Sequence, residues 1–338
     1  MTKKNTFLLS LLFAFSIVYI PWTNLLYDQL YISDHFSILT KYSKMNIESD
    51  ILFAERSILG YLEGETLAKY IFVKLLSFIN SILEPKYFFI ANFSNQNEYL
   101  ISSNVEITFQ VVSIFTLFIW SFFLFKKIPF LLGTLFLLNP ITLDMTLGVI
   151  QNSFSFSLII IAILLSKSRL QYIFLIAAPF VHNSALLVLG IIAIQKTIIP
   201  KLKDKVSLVF SIMLIAILSI ASLYLLNFEI EENTLTLGKK LFIFNDDKLL
   251  FLLTFAFIGI IQVLCSEEYI RKHYLIIQIL FIYLLLSLFT PFAFRFIACL
   301  FPLLFYSLWD LPGDKKVFVY PIWIIFVTYL LIMWINLF

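Results

Sequence analysis

Apolar positions in this chain fall in long unbroken runs, separated by short polar stretches. Phe7 to Leu26, Ile107 to Phe125, Leu208 to Leu226 and Val317 to Phe338 are each long enough to cross the roughly 30 Å of bilayer hydrocarbon as a helix. A transmembrane barrel would need short segments alternating apolar and polar. Stretches such as Ser157 to Leu165 and Leu275 to Phe289 are apolar all round, which argues for helices instead. The pattern predicts an all-α polytopic membrane protein with about nine to eleven crossings. The clearest lie near 7–26, 107–125, 128–143, 150–166, 206–226, 249–265, 273–289, 294–309 and 317–337.

One apolar stretch does not fit that count. Residues 170–195 are bounded by cations at both ends and interrupted by Pro179-Phe-Val-His182-Asn183-Ser184. The stretch is too short to cross twice at full length. It reads as a re-entrant or broken helix, as a site of local bilayer thinning, or as a segment whose following lysines are outside. Irregular backbone at membrane depth is tolerated only where it is buried in protein or lines a wet cavity.

Two regions fall outside the apolar runs of a single integral membrane domain, 1–338. Residues 27–106 are too long for a structureless linker and predict an extracytoplasmic cap. Within it Thr66 to Glu84 has helical spacing, with Thr66, Lys69, Lys74, Ser77, Asn80, Ser81 and Glu84 on one side and Leu67, Ile71, Leu75, Phe78 and Ile82 on the other. Such a helix lies in the membrane interface or packs on the membrane domain. Residues 227–248 form a second outer loop with solvated acidic turns.

Composition agrees with the pattern. The 338 residues are 61% hydrophobic, 18% aromatic and only 13% charged, which excludes a soluble globule. The mean hydropathy is +0.97. The net charge of +3 matters less than its distribution. Lys3/Lys4, Lys126/Lys127, Lys167/Arg169, Lys196 to Lys205, Arg271/Lys272 and Lys315/Lys316 hold more than half of the 24 cations. Placing them together in the cytoplasm leaves the inner side net positive and the outer side net negative, with the first span uncleaved and the amino terminus inside. No glycine-rich phosphate loop or basic patch points to ATP or nucleic acid. Cys265 and Cys299 lie in apolar runs, and with three scattered histidines they build no metal cluster.

Only four of the cations are arginine. Arg169 and Arg271 sit at span ends as inner-face anchors. Arg295, in TPFAFRFIACLF, is apolar on both sides; it either snorkels to headgroups or holds a phosphate or carboxylate. Arg56 pairs with Glu55 or Glu63, or makes a second phosphate contact. His182 is either a hydrogen-bonded packing element or a cavity group for proton transfer or diphosphate contact. Asp144, in an outer turn with Asn139, Gln151 and Asn152, serves as a helix cap or hydrogen-bonds substrate. His35 and His273 have no assigned role, and Asp310 and Asp314 read as loop charges.

These features together resemble the EpsG-like and Wzy-class polymerases of bacterial surface polysaccharides. The resemblance rests on an outer segment with an aspartate and spaced aromatics (Asp34 to Tyr42), on Glu65 opening an amphipathic helix, on His182-Asn-Ser-Ala-Leu186 in a broken apolar segment, and on the later arginine-bearing span with Arg295. Such proteins often carry an arginine at the start of the span before the histidine, where this chain has Gln151-Asn152-Ser153. The resemblance implies transfer of a glycan from a polyprenyl diphosphate carrier onto a lipid-linked repeat, at the outer face of the bacterial cytoplasmic membrane, without metal or other cofactor. It implies diphosphate contacts by Arg295 and Arg56, a base among Glu65, Asp34, Asp144 and His182, and further substrate contacts by Asn183, Gln151 and Asn152. Implied partners are polyprenyl-diphosphate-linked oligosaccharides, membrane lipid and a chain-length regulator protein, but no nucleic acid. The competing readings are a membrane O-acyltransferase using His182 and a flippase for lipid-linked sugars.

Overall fold

A computed structural model of the chain describes residues 3–20, 75, 78–79, 81–84, 87–92, 97–147, 150–182, 184–225, 248–287 and 297–335. It is overwhelmingly helical, as the unbroken apolar runs require: a backbone without water must satisfy its own hydrogen bonds. In chain order the helices are α1 (Lys3–Val18), α2 (Ser103–Lys127), α3 (Phe130–Leu137), α4 (Pro140–Leu147), α5 (Ile150–Leu164), α6 (Gln171–Val181), α7 (Ala185–Thr197), α8 (Lys205–Leu225), α9 (Lys248–Leu264), α10 (Glu267–Leu286), α11 (Phe301–Trp309) and α12 (Gly313–Ile335). Among the described residues three helical stretches are long and apolar enough to cross a membrane: Gln110–Lys127, Glu267–Leu286 and Gly313–Ile332. The pair α3 and α4, bent by 70° at their break, adds a fourth if it is counted as one span. Shorter apolar helices make up much of the remainder.

Two departures from the sequence reading stand out. The expected span at 128–143 is broken at Leu138 and Asn139, and the outer turn assigned to Asp144 is instead the helix α4. The physical cause is local. Pro140 opens α4, and Asn139 Oδ1 accepts from the backbone N–H of Ile141 at 2.9 Å, in place of a carbonyl from the preceding turn. The second departure is a short hairpin within the expected cap, beside an otherwise helical fold. Strands β1 (Tyr87–Asn92) and β2 (Asn97–Ser102) pair antiparallel, with Tyr87 opposite Ser102 and Asn92 opposite Asn97. Aromatic and β-branched residues on either side of the turn-favouring Ser94-Asn95 favour this pairing.

The amphipathic helix expected over Thr66–Glu84 lies mostly outside the described residues. At its carboxyl end Phe78 and Ile82 are exposed and Ile79 is buried. Asn104 ties this end to the start of α2, its side-chain amide donating to the Leu83 carbonyl at 2.8 Å. The segment expected as a second outer loop, 227–248, also lies almost wholly outside the described residues.

The chain forms two compact units, residues 1–123 with 143–185, and residues 124–142 with 186–338. In the first, Phe7 of α1 meets Phe118 and Phe122 of α2 edge-on, and Ser121 Oγ reaches the Ser10 carbonyl at 3.3 Å. The indole N–H of Trp120, fully buried, donates to Ser157 Oγ of α5 at 3.0 Å. In an apolar surrounding such bonds are retained because no water replaces a lost partner.

The second unit has an aromatic core. Phe251 and Phe255 of α9, Tyr283 of α10, Phe301 and Phe305 of α11, and Trp323 and Phe326 of α12 form one continuous set of tilted and edge-on ring contacts. Gly259 lets α9 approach α10 closely: a Cβ there would stand 3.0 Å from a methyl carbon of Leu280. Two helix starts in this unit are capped from the side chain. Asp204 accepts from Ser207 N–H at 2.7 Å and from its hydroxyl at 2.9 Å, and Ser266 accepts from Tyr269 N–H at 3.3 Å.

Candidate functional site

The broken stretch at 170–195 is two helices, α6 and α7, parted at residues 182–184. At 1.5 Å per residue, each would extend only about 15–20 Å, too short to cross hydrocarbon alone. Pro179 prepares the break, because it has no N–H to continue the ladder. His182 then leaves the helix in an extended conformation, φ −157° and ψ 129°. Two bonds hold the last turn in place. The Ala178 carbonyl accepts from the His182 N–H at 3.1 Å and from Ser155 Oγ of the neighbouring α5 at 2.7 Å. Ser155 and Ala178 are fully buried, so the end of α6 is fixed against α5 rather than left to fray.

The imidazole of His182 is half-buried, and its tautomer follows from its neighbours. The backbone N–H of Ser184 donates to Nδ1 at 3.2 Å, and Ser184 Oγ lies 2.6 Å from the same nitrogen. A nitrogen that accepts from a peptide N–H carries no proton. The neutral ring therefore holds its proton on Nε2 and presents that position as a donor. Such a ring is suited to an anionic oxygen. As a proton acceptor it would first have to exchange tautomers.

Asn152, on α5 one turn before Ser155, is buried. Gln151 stands beside it at the start of α5, and Asp144 lies within α4. Of the other residues singled out from the sequence, Asp34, Arg56, Glu65, Asn183 and Arg295 lie outside the described residues. Asn139, read as part of the outer turn, is buried, with its side-chain N–H group unpaired among the described residues.

A second polar cluster, which sequence reasoning passed over, occupies one end of the unit built from 124–142 and 186–338. Asp310 follows α11 and gathers two partners onto one oxygen: Lys272 Nζ at 2.8 Å and His273 Nε2 at 2.7 Å. His273 is almost fully buried, between the rings of Tyr269 at 4.6 Å and Tyr306 at 5.1 Å. Its backbone departs from helical geometry (φ −107°, ψ 16°), so α10 kinks at this residue. Tyr269 donates from its hydroxyl to the Ser307 carbonyl at 2.9 Å. Next to the cluster, Arg271 donates to the carbonyls of Ile199 and Leu202 and pairs with Glu267 at 2.5 Å. It thus fastens the connection between α7 and α8, where the sequence suggested only an end anchor.

The corrections here have one origin. His273 and Asp310, set aside as a flanking residue and a loop charge, are 37 positions apart, and no local pattern announces their meeting. The signal that could have suggested it is the recurrence of polar residues at matching span ends.

Burial pushes the Asp310 carboxyl up, but the hydrogen bonds from Lys272 and His273 outweigh it and hold the group below its ordinary 3.8. A carboxylate depressed in the folded chain adds stability above its unfolded value, and that stability is lost as pH falls through the folded value. Between about pH 5 and about pH 3, the unfolding midpoint in detergent should therefore fall more steeply for the parent chain than for Asp310→Asn. Equal slopes would mean that the bonds to Asp310 do not favour its charged form.

Comparison of the chain with family models, with curated proteins and with solved structures finds no match.

Proposed function

We propose that the chain is a membrane glycosyltransferase that polymerises a surface polysaccharide from polyprenyl-diphosphate-linked repeats. One observation carries the reading: His182, in the element His182-Asn-Ser-Ala-Leu186, stands at a helix break with its Nδ1 accepting from the Ser184 N–H, which leaves the ring's proton on Nε2. A leaving diphosphate develops charge as its bond to the sugar breaks, and a fixed donor helps most at that moment. In this reading Arg295 and Arg56 supply further positive charge to the same group. The acceptor hydroxyl oxygen forms the new bond to the anomeric carbon as the carbon–oxygen bond to phosphate breaks. Its proton passes to a carboxylate, for which Glu65, Asp34 and Asp144 are the candidates, and the diphosphate departs with the electron pair.

The same reading sets the chain in the bacterial cytoplasmic membrane, with nine to eleven crossings, the amino terminus inside and the reaction at the outer face. The cap would hold the glycan and its amphipathic helix would admit the polyprenyl tail from the side. The break at 182–184 is then the apex of a re-entrant pair, with its irregular backbone lining the substrate cavity.

The test is the length distribution of surface glycan in cells lacking the chain. A single repeat on the carrier core is expected. Complete loss of surface glycan would replace this reading with a flippase, and chains of normal length lacking acetyl groups would replace it with an O-acyltransferase.

A further inference from the structure

The polar end of the second unit has more positive charge than its carboxylates account for. Lys127, at the end of α2, lies 5.2 Å from the centroid of the Tyr306 ring, and Lys272 lies 5.5 Å from the same centroid. Asp310 is the carboxylate beside them, and its bonding oxygen is already shared by Lys272 and His273. Lys127 has no ion pair among the described residues. Both lysines are exposed. Nearby, Lys316 stands 4.8 Å over the Trp309 ring, and Lys315 pairs loosely with Asp314 at 3.5 Å. Two ammonium groups set on one phenol ring, with one carboxylate shared between Lys272 and His273, leave room for an external anion.

The residues that follow decide what kind of anion. Leu131 comes four positions after Lys127, and Val317 and Phe318 come directly after Lys316; all three are strongly exposed, at 69%, 70% and 58%. Exposed apolar side chains beginning where a basic collar ends match an amphiphile, whose phosphate meets the lysines while its acyl chains cover the helix faces. A free phosphate ion would gain nothing from that apolar flank.

We propose that Lys127 and Lys272, set about Tyr306, bind the phosphate headgroup of an anionic glycerophospholipid. Tyr306 orients the two ammonium groups through its ring face, and Asp310 keeps Lys272 in position without cancelling the charge of Lys127. The site is independent of the glycosyl-transfer reading, because it uses no residue of that mechanism.

The purified, delipidated chain in neutral detergent provides the test, with binding followed by native mass spectrometry and by the shift in unfolding midpoint. The probes are phosphatidylglycerol, phosphatidylcholine and inorganic phosphate. Phosphatidylglycerol should bind and raise the midpoint; the other two should not. Lys127→Gln should weaken phosphatidylglycerol roughly fivefold, as expected for one cation near an anionic headgroup, with Lys127→Arg close to the parent. Lys127 is exposed and forms no ion pair among the described residues, so its replacement should shift the lipid-free midpoint only slightly, through the lost contact with the Tyr306 ring. Equal binding of both lipids, phosphatidylglycerol binding unaffected by Lys127→Gln, or an equal effect from inorganic phosphate would overturn the proposal.

Discussion

Replacing His182 by alanine is expected to slow polymerisation by about 10²- to 10³-fold, the usual loss when one pre-positioned donor to a developing oxyanion is removed. The informative variant is His182→Gln. A glutamine amide can present an N–H toward the position served by Nε2, but it cannot take a proton. Because Ser184 N–H occupies Nδ1, the ring is set to donate, and glutamine should recover a measurable part of the activity that alanine loses. The pH profile separates the same alternatives. A donating imidazole donates whether neutral or protonated, so activity should show no acid limb near the ordinary histidine value. If glutamine is as inactive as alanine and the parent loses activity on protonation of a group near pH 6.5, His182 is the base and the donor assignment fails. Lipid-linked repeats supplied to the reconstituted chain give the rate, and an unchanged unfolding midpoint confirms that the half-buried ring was not holding the fold.

Much of the helical framework was readable from the sequence because the signal there is collective. A run such as Leu208 to Leu226 is apolar at nearly every position, and the helix Lys205–Leu225 differs from it by a few residues at the amino end. The break at His182 was legible as well, since proline followed by a polar His-Asn-Ser triplet is out of place in a continuous apolar helix. What escaped was decided by pairs distant in the chain or by competition between weak local preferences. The hairpin Tyr87–Ser102 follows a stretch with helical spacing, and its strand-forming aromatics did not outweigh that pattern. The split of 128–143 hinged on one side chain, the Asn139 cap, inside a run whose hydropathy alone reads as continuous. His273 and Asp310 each look ordinary locally, and only the return of α11 beside α10 brings them together. The charge clusters were different again. Sorting Lys126/Lys127, Arg271/Lys272 and Asp310 together on charge grouped residues of which Lys272 meets Asp310 and shares the Tyr306 ring with Lys127.

The aromatic core of the second unit leads to the other large expected effect. Trp323→Ala should destabilise the folded chain by about 3–5 kcal/mol, the range for truncating a large buried aromatic. Trp323 is only 4% exposed and makes ring contacts with Phe255, Phe301, Phe305 and Phe326 at 6.3, 6.0, 5.6 and 5.6 Å between centroids. These neighbours come from α9, α11 and α12, so the indole is where three helices share one packing site. In a lipid setting the loss cannot be ascribed to exposure to water, since the surroundings are as apolar as the core. It comes from dispersion contacts forfeited around a cavity that rigid helices close only in part. Trp323→Phe should therefore cost far less, under about 1.5 kcal/mol, because it keeps a ring at the centre of the cluster. Unfolding midpoints of the purified variants, followed by near-ultraviolet circular dichroism in a fixed detergent, provide the comparison. If alanine and phenylalanine are equally mild, the four ring contacts are incidental and α9, α11 and α12 are held together elsewhere. If the alanine chain loses its aromatic signal well before its helical one, the cluster specifies tertiary packing and the helices form without it.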